Sequence, residues 1–259
     1  MAETRVTCKL KLLVTGGFGF IGSNFIRYML TRYKNIQIAN LDSLSIGSNP
    51  ANLKDIETDS RYKFVKGDIA DRKLTQNLVK EIDAIVNIAA ETHVDRSIAE
   101  PWPFVTSNTL GAVNLFEAAG KQGKRLLQVS TDEIYGDIIR GSFKEDDQFK
   151  PSSPYSASKA AADLFCLAYH RTYGLDAVIA RCTNNYGPYQ FPEKLISLAI
   201  TNALEDKPIP VYGDGLNIRD WIFVLDHCRA LELIIEKGKP GEIYNIGSGS
   251  EKTNLEIIH

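Results

Sequence analysis

The chain has no excess of either charge, no long apolar run and no paired cysteines, and each absence removes a class of protein. Its 259 residues carry 30 Lys and Arg against 32 Asp and Glu, a net charge of −2, with a pI near 6.1. This leaves no basic footprint for nucleic acid and no polybasic patch for a membrane surface. No apolar run approaches the roughly eighteen residues of a membrane-crossing helix. The polar start Met-Ala-Glu-Thr-Arg-Val does not resemble a secretory leader. The cysteines, Cys8, Cys166, Cys182 and Cys228, are scattered, without a Cys-x-x-Cys pair or a histidine at ligand spacing. That excludes a disulfide scaffold, gives no metal site, and reads as reduced thiols in a reducing compartment, the cytoplasm. Repeats and low-complexity tracts are also missing. What remains is an ordinary globular composition, 44% hydrophobic and 24% charged, long enough for one large domain or a domain with a smaller lobe.

Short apolar runs alternate with helical patterns through most of the chain, which predicts βαβ units around a parallel sheet. Strands are expected at Leu10–Thr15, Ile36–Leu41, Tyr62–Val65, Ala84–Ala89, Arg125–Thr131 and Asp176–Cys182. The intervening helices include Ser23–Tyr33, a long one at Phe104–Lys121 stopped by Gly123, and one from Tyr155 to Tyr173 closed by Gly174. The texture changes after Cys182. A turn-dense stretch at 184–192 precedes a helix near Glu193–Leu204, a short β-like run at Ile209–Tyr212, a turn at Gly213-Asp-Gly215, a helix at Leu225–Glu236 and a strand within Gly241–Gly247. The expected fold class is α/β: a doubly wound, Rossmann-type parallel sheet with a smaller C-terminal substrate-binding lobe. Residues 1–182 and about 222–247 would form the nucleotide domain, and 183–221 and 248–259 the lobe.

Between the first strand and its helix stands Gly16-Gly17-Phe18-Gly19-Phe20-Ile21-Gly22. Gly16, Gly19 and Gly22 allow a tight turn that brings backbone N–H groups against a pyrophosphate at the helix N-terminus. Asp42 follows at the end of the second strand, where a carboxylate accepts ribose hydroxyls and repels a 2′-phosphate; NAD is therefore favoured over NADP. No Lys or Arg lies between Asp42 and Lys54 to reverse that preference. Asp68 and Ile69, after the third strand, are placed at the adenine.

Tyr155 and Lys159 stand one turn apart on one helix face. A fixed cation beside a phenol favours the phenolate, so the Tyr155 pKa is expected to fall toward working pH, making it a base for an alcohol or sugar hydroxyl. Thr131, at the end of the preceding strand, can hydrogen-bond the same substrate oxygen. Asp132 and Glu133 follow directly, and adjacent acids in unlike environments can divide into proton donor and proton acceptor. Taken singly, a solvated tyrosine, lysine or acidic turn is the plainer reading of each; their combination with the glycine turn reverses it.

This set resembles the extended branch of the short-chain dehydrogenase/reductase superfamily, and Ser-Thr-Asp-Glu-Ile-Tyr-Gly within it resembles the signature of the dTDP-glucose 4,6-dehydratase family. Further matching segments occur in the family's order: Ala89–Ile98, Ser153–Ala160, Asn184–Leu195, Pro210–Gly215, Arg219–Trp221 and Tyr244–Gly247. The resemblance implies a lyase that oxidises the sugar at C4, eliminates water across C5 and C6 and returns the hydride to C6, with NAD held throughout. It assigns Tyr155 to the 4-hydroxyl proton, Glu133 to the C5 proton and Asp132 to the departing 6-hydroxyl, with Lys159 reaching the nicotinamide ribose. It adds Phe20, Ile21, Ser45, Ala89, Ala90, Ser107 and Asn185 to the cofactor contacts. Thr92, Thr131, Asn184, Lys194, Leu195, Pro210, Tyr212, Arg219 and Asn245 become substrate contacts, Lys194 and Arg219 suiting a diphosphate chemically.

Other residues carry weaker signals. His93 shapes its loop, His170 and His227 lie on helices, and Trp102 and Trp221 read as packing. Asp95 and Arg96 read as an ion pair, and Tyr186 and Tyr189 either line the site or brace the turn. The chain ends at His259, where family members continue with more helix and an Arg-Pro-Gly-type segment, so the nucleotide lobe is expected to be incomplete. A UDP-sugar epimerase or decarboxylase would share Tyr155, Lys159 and the glycine turn but lack the Asp-Glu pair. A non-catalytic NAD or nucleotide-sugar binder would need no acids at all. Relatives of the extended branch pair two helices from each copy, so a homodimer through Phe104–Lys121 and Ser156–Tyr173 is implied, with Leu164, Phe165, Leu167 and Ala168 as its apolar strip.

Overall fold

The computed structural model describes residues 10–211 and 213–259; Cys8 and Tyr212 lie outside them. Seven strands form one wholly parallel sheet. They are β1 (Lys11–Thr15), β2 (Gln37–Asp42), β3 (Tyr62–Lys66), β4 (Ala84–Asn87), β5 (Arg125–Thr131), β6 (Ala177–Cys182) and, later in the chain, β9 (Ile243–Ile246). The spatial order is β3-β2-β1-β4-β5-β6-β9. The order reverses between β1 and β4, which opens a crevice at their carboxyl ends.

Both faces of the sheet are covered, so its central strands are buried on both sides, with apolar cores and polar residues toward their carboxyl ends. On one face α1 (Phe20–Arg32) and α8 (Val224–Lys237) bury Phe25, Ile26, Met29, Leu231 and Ile234 against Leu12 and Val14. On the other, α2 (Arg72–Val79), α5 (Ala112–Gln122) and α6 (Pro154–Tyr173) bury Val79, Leu115, Phe116, Ala162 and Cys166 against Leu13, Ile85 and Ile179. The alternation of Leu12, Leu13 and Val14 between the two clusters follows from the two-residue period of a strand.

Helix ends obey local chemistry. Ser153 and Ser156 form a reciprocal capping box at the start of α6, satisfying amides that begin the helix. Gly123 and Gly174 end α5 and α6 in the left-handed conformation. The long helix expected at Phe104–Lys121 is interrupted. A short α3 (Val94–Ala99) and a single turn, α4 (Trp102–Phe104), lead into a π-helical stretch at Val105–Gly111 before α5. There Asn108 bonds Ser158 Oγ and the backbone oxygen of Glu91, and Thr109 bonds the Ser158 carbonyl. These side chains hold the widened turn against α6, a common setting for such bulges.

Beyond β6 the chain forms β7 (Asn184–Tyr186), α7 (Leu195–Leu204), β8 (Ile218–Phe223), β10 (Glu251–Thr253) and α9 (Asn254–Ile258). β7, β8 and β10 make a second sheet in the order β10-β8-β7. Asp220 on β8 organises its edge, accepting bonds from Thr183 Oγ1, Ser248 N and Oγ, and Ser250 N. Of the segment expected as a strand at Ile209–Tyr212, the described residues 209–211 are irregular. No helix among the described residues is long and apolar enough to cross a membrane, and no cluster among them could hold a metal ion.

Candidate active site

The turn after β1 is built for close approach. Gly16 has φ +69°, and a Cβ on it would lie 2.7 Å from Ala89 Cα; a Cβ on Gly22 would lie 2.2 Å from the Gly16 carbonyl oxygen. Only a chain without side chains there can bring β1, β4 and the start of α1 together. Asn40 Oδ1 accepts from Gly17 N at 3.0 Å, while its Nδ2 donates to the Tyr62 hydroxyl. Asp42 closes the turn from the side, accepting from Phe18 N, Leu44 N and Ser48 Oγ at 2.8–2.9 Å. One carboxylate oxygen, Oδ2, carries a single one of these bonds, leaving it capacity for a further donor. No acidic residue occupies the first turn of α1, so the partial positive charge of its N-terminus is uncompensated there.

A buried polar ladder fixes the neighbouring strand ends. Thr15 Oγ1 donates to Asn87 Oδ1 at 2.6 Å and Asn87 Nδ2 donates to Gln128 Oε1 at 2.7 Å. The Thr15 hydroxyl oxygen also accepts from Ile88 N and Ala89 N. Such groups are tolerated in a core only because every one is paired. The ladder sets where Ala89 and Ala90 enter the crevice.

At the end of β5, Thr131 caps a single 3₁₀ turn, Asp132–Tyr135, by accepting from Glu133 N at 3.2 Å. Its hydroxyl lies 3.3 Å from Asp132 Oδ1. Burial pushes the Asp132 carboxyl up to about 6, against the lowering effects of the Thr131 hydroxyl and the Arg219 charge. Burial also raises Glu133, helped by the charge of Asp132 and opposed by Lys194 and Arg219. Glu133 faces open cavity space while protein surrounds it, so its surface is accessible although its environment is poorly hydrated. The two acids are thus held in unlike surroundings next to two cations.

Tyr155 and Lys159 project from the first turns of α6 and are 8% and 3% exposed. Here the structure corrects the expectation from spacing. The phenol pKa lies well above its ordinary value, because burial and then the charge of Glu133 oppose the phenolate. Lys159 does not bond Tyr155; its Nζ donates to the Val129 carbonyl at 2.7 Å, and burial lowers its own pKa. Helical spacing puts the two groups on one face but cannot reveal the desolvation that outweighs their attraction.

One cavity of about 360 Å³ is lined by Gly16, Gly19, Phe20, Ile21, Gly22, Asp42, Ser45, Asp68, Ile69, Ala89, Ala90, Ser107 and Asn185. Thr92, Thr131, Glu133, Tyr155, Lys159, Asn184, Lys194 and Leu195 line the same cavity, whereas Asp132 is not in its wall. A second cavity of about 190 Å³ lies beside it, with Pro210 and Arg219 among its walls; Asn184, Leu195 and Trp221 line both.

A profile of the family described as GDP-mannose 4,6 dehydratase matches residues 13–259. The chain is 50% identical to dTDP-glucose 4,6-dehydratase of an Actinoplanes species, over 96% of this chain and 79% of that protein. It is 49% identical to the Streptomyces niveus protein of the same name, over 96% and 75%. The chain belongs to the dTDP-glucose 4,6-dehydratase family. A solved dTDP-glucose 4,6-dehydratase of Streptomyces venezuelae, with NAD and TYD bound, superposes with a TM-score of 0.93 at 50% identity, covering 96% of this chain and 79% of that one. UDP-glucuronic acid 4-epimerase of Bacillus cereus shares the fold at 32% identity and a TM-score of 0.89, covering 95% and 80%.

For a member of this dehydratase family, several side chains stand elsewhere than sequence suggested. Asn245 enters neither cavity: its Oδ1 accepts from the Tyr135 hydroxyl, its Nδ2 donates to Phe143 O and its backbone N–H to Glu145 Oε1. Tyr212 lies outside the described residues. Arg96 pairs with Glu193 at 3.0 Å rather than with Asp95. Tyr189 packs its ring against the Arg27 guanidinium and Tyr186 against Phe223, so both brace the turn. Trp221, read as packing, walls both cavities, and Gln190 and Phe191 join the main one. The turn-dense composition of 184–192 marked this segment, but nothing in it showed which side chains turn inward. His227 is wholly buried, with Nδ1 2.9 Å from Asn185 Oδ1.

Proposed function

We propose that this chain is an NAD-dependent nucleotide-sugar dehydratase that converts dTDP-glucose to its 4-keto-6-deoxy product. The observation that carries this reading is the meeting, in one cavity, of a glycine turn, the Tyr155–Lys159 face and Glu133, with the half-buried Asp132 next to it in the chain but outside the cavity wall. The crowding at Gly16 and Gly22 and the spare acceptor on Asp42 suit the diphosphate and ribose of a dinucleotide. Asp68, Ile69, Ala89, Ala90 and Ser107 would line its path, with Lys159 at the nicotinamide ribose. NAD, when bound, takes up a hydride and gives it back, and its oxidised ring brings a positive charge that favours a nearby phenolate.

The remaining chemistry belongs to the chain. Tyr155 accepts the proton of the sugar 4-hydroxyl, with Thr131 holding the same oxygen. Glu133 removes the C5 proton once a C4 ketone has acidified it. Asp132, with its pKa near neutrality, gives a proton to the departing 6-hydroxyl. Lys194 and Arg219 supply the positive charge that a sugar diphosphate needs. An epimerase would have no work for Asp132 and Glu133, which disfavours that reading. Residues 1–182 and about 222–247 serve the cofactor, and 183–221 with 248–259 serve the nucleotide sugar.

Incubating the purified protein with dTDP-glucose and no added reductant should yield the 4-keto-6-deoxy sugar. Protein that retains NAD but forms no product would overturn the assignment. Two copies are proposed to pair through Phe104–Lys121 and Ser156–Tyr173, where Leu110, Leu164 and Phe165 are exposed; of the expected strip Leu167 instead packs into the chain's own core, and Trp102, read as packing, is exposed. Light scattering at the monomer mass would remove that part. Cys166, Cys182 and Cys228 are free and buried, which supports a reducing compartment, the cytoplasm.

A further inference from the structure

Behind Lys159, on the side away from the cavity, lies a buried charge that the mechanism above does not use. Asp163 follows Lys159 by one turn of α6 and is completely buried. Its Oδ2 accepts from Arg181 Nε at 2.9 Å, both side chains being 0% exposed. Arg181, on β6, donates Nη1 to the Tyr135 hydroxyl at 2.5 Å and to Glu145 O at 3.1 Å. Its guanidinium lies over the rings of Tyr135 and Phe149, 5.0 and 4.6 Å from their centroids. Asp163 Oδ1, Ser130 Oγ and Arg181 Nη2 make no hydrogen bond of good geometry, although the Ser130 hydroxyl lies near enough to the Asp163 carboxylate to favour its ionised form.

An ion pair whose only task was to tie α6 to β6 would use both carboxylate oxygens on the guanidinium fork, which is made for that geometry. Here only one is used. The guanidinium also meets aromatic faces and neutral oxygens, and Asp163 shares a face of α6 with Lys159, one turn away. We infer that Asp163, anchored by Arg181, is a positioning residue whose carboxylate serves as the buried counter-charge of the Lys159 ammonium. This rests on the dehydratase reading of the same site.

Several groups face Lys159. Tyr155 and Asp163 share its helix; Cys182 and Arg181 come from β6; Ser130 and the Val129 carbonyl come from β5; Asp132 and Glu133 face Tyr155 from the turn after β5. Of these, Asp163 and Cys182 favour the charged lysine, whereas burial opposes it. Cys182 is itself held as a neutral thiol by burial, its pKa pushed up to about 12. Burial also raises the Asp163 carboxyl, but the Arg181 and Lys159 charges and the Ser130 hydroxyl oppose it; with Arg181 bonded to it, Asp163 is the group placed to keep Lys159 an ammonium, and an uncharged Lys159 could neither favour the Tyr155 phenolate nor donate fully to a ribose.

The test is the pH profile of kcat for dTDP-glucose turnover in Asp163→Asn and in the double variant Asp163→Asn/Arg181→Met. Asp163→Asn alone strands a buried guanidinium and risks misfolding; the double variant removes both charges and spares the interior an unpaired ion. In the folded variant the alkaline limb should move down by roughly one pH unit or more, because Lys159 loses its proton earlier. At a pH above the wild-type alkaline limb, kcat should fall about tenfold, with KM changed far less. A purely structural pair predicts lower thermal stability with the wild-type pH profile, and that result overturns the inference. Wild-type turnover in the same assay separates the two failures. An inactive wild type sinks the dehydratase reading and this inference with it, whereas an active wild type with unshifted variants sinks only the role of Asp163.

Discussion

Replacing Glu133 by Gln isolates one step of the proposed chemistry. Glutamine matches glutamate in shape, and no hydrogen bond to the Glu133 carboxylate is found among the described residues, so little packing or bonding is lost. The change removes the only base proposed for C5. A positioned general base contributes about 10²- to 10⁴-fold, so elimination should slow by that factor, about 3–5 kcal/mol of barrier. The charge of Glu133 is also the largest nearby charge opposing the Tyr155 phenolate, so its removal should ease C4 oxidation and move that step to lower pH. Single-turnover mixing with dTDP-glucose reads both effects. Reduced nicotinamide should appear in the variant and persist, whereas in the wild type it should decay as product forms. Exchange of the C5 hydrogen with deuterated solvent should be lost in parallel. Product formation within about threefold of the wild-type rate would refute the reasoning, since a general base cannot be that dispensable.

Asp132 should impose the opposite pH sign to a base: it acts protonated, and its pKa lies at about 6. Elimination should therefore weaken by about tenfold per pH unit above that value where this step limits turnover, and Asp132→Asn should be slow at every pH. A wild-type elimination rate that rises steadily from pH 6 to 8 would contradict the donor role. Gly22→Ala would place a Cβ 2.2 Å from the Gly16 carbonyl oxygen, so the turn must open. The protein should purify with its fold intact by circular dichroism but with at least tenfold weaker NAD retention. Undiminished NAD content would show that the turn does not hold the dinucleotide.

The parallel sheet was legible because its strands are buried on both faces and its helices carry a 3.6-residue apolar period. Leu10–Thr15 and Arg125–Thr131 could be little else between such neighbours. The glycine turn and Asp42 were legible because their spacing follows from one βα unit and the next strand end. The second sheet was not. β7 is three residues long, and β8 begins with the exposed Ile218 and Arg219, so neither shows the alternation that marks a half-buried strand. The π-helical stretch was also hidden, because it depends on Asn108 and Thr109 finding Ser158 on a distant helix. The state of Tyr155 was misjudged for a related reason. Spacing along a helix gives neighbours within one element, whereas burial and the charge of Glu133 come from the tertiary arrangement. Trp221 and Asn245 make the same point in opposite directions: a residue taken for packing walls both cavities, and a residue assigned to the nucleotide is bound to the loop at 143–145.

The central claim, an internal oxidation and reduction within one bound sugar, is tested by turning over dTDP-glucose labelled with deuterium at C4 and locating the label in the product by mass spectrometry and NMR. The account predicts a 4-keto-6-deoxy sugar carrying that deuterium at C6. Deuterium found still at C4 in an inverted sugar, or a 6-deoxy product without it, would contradict the account.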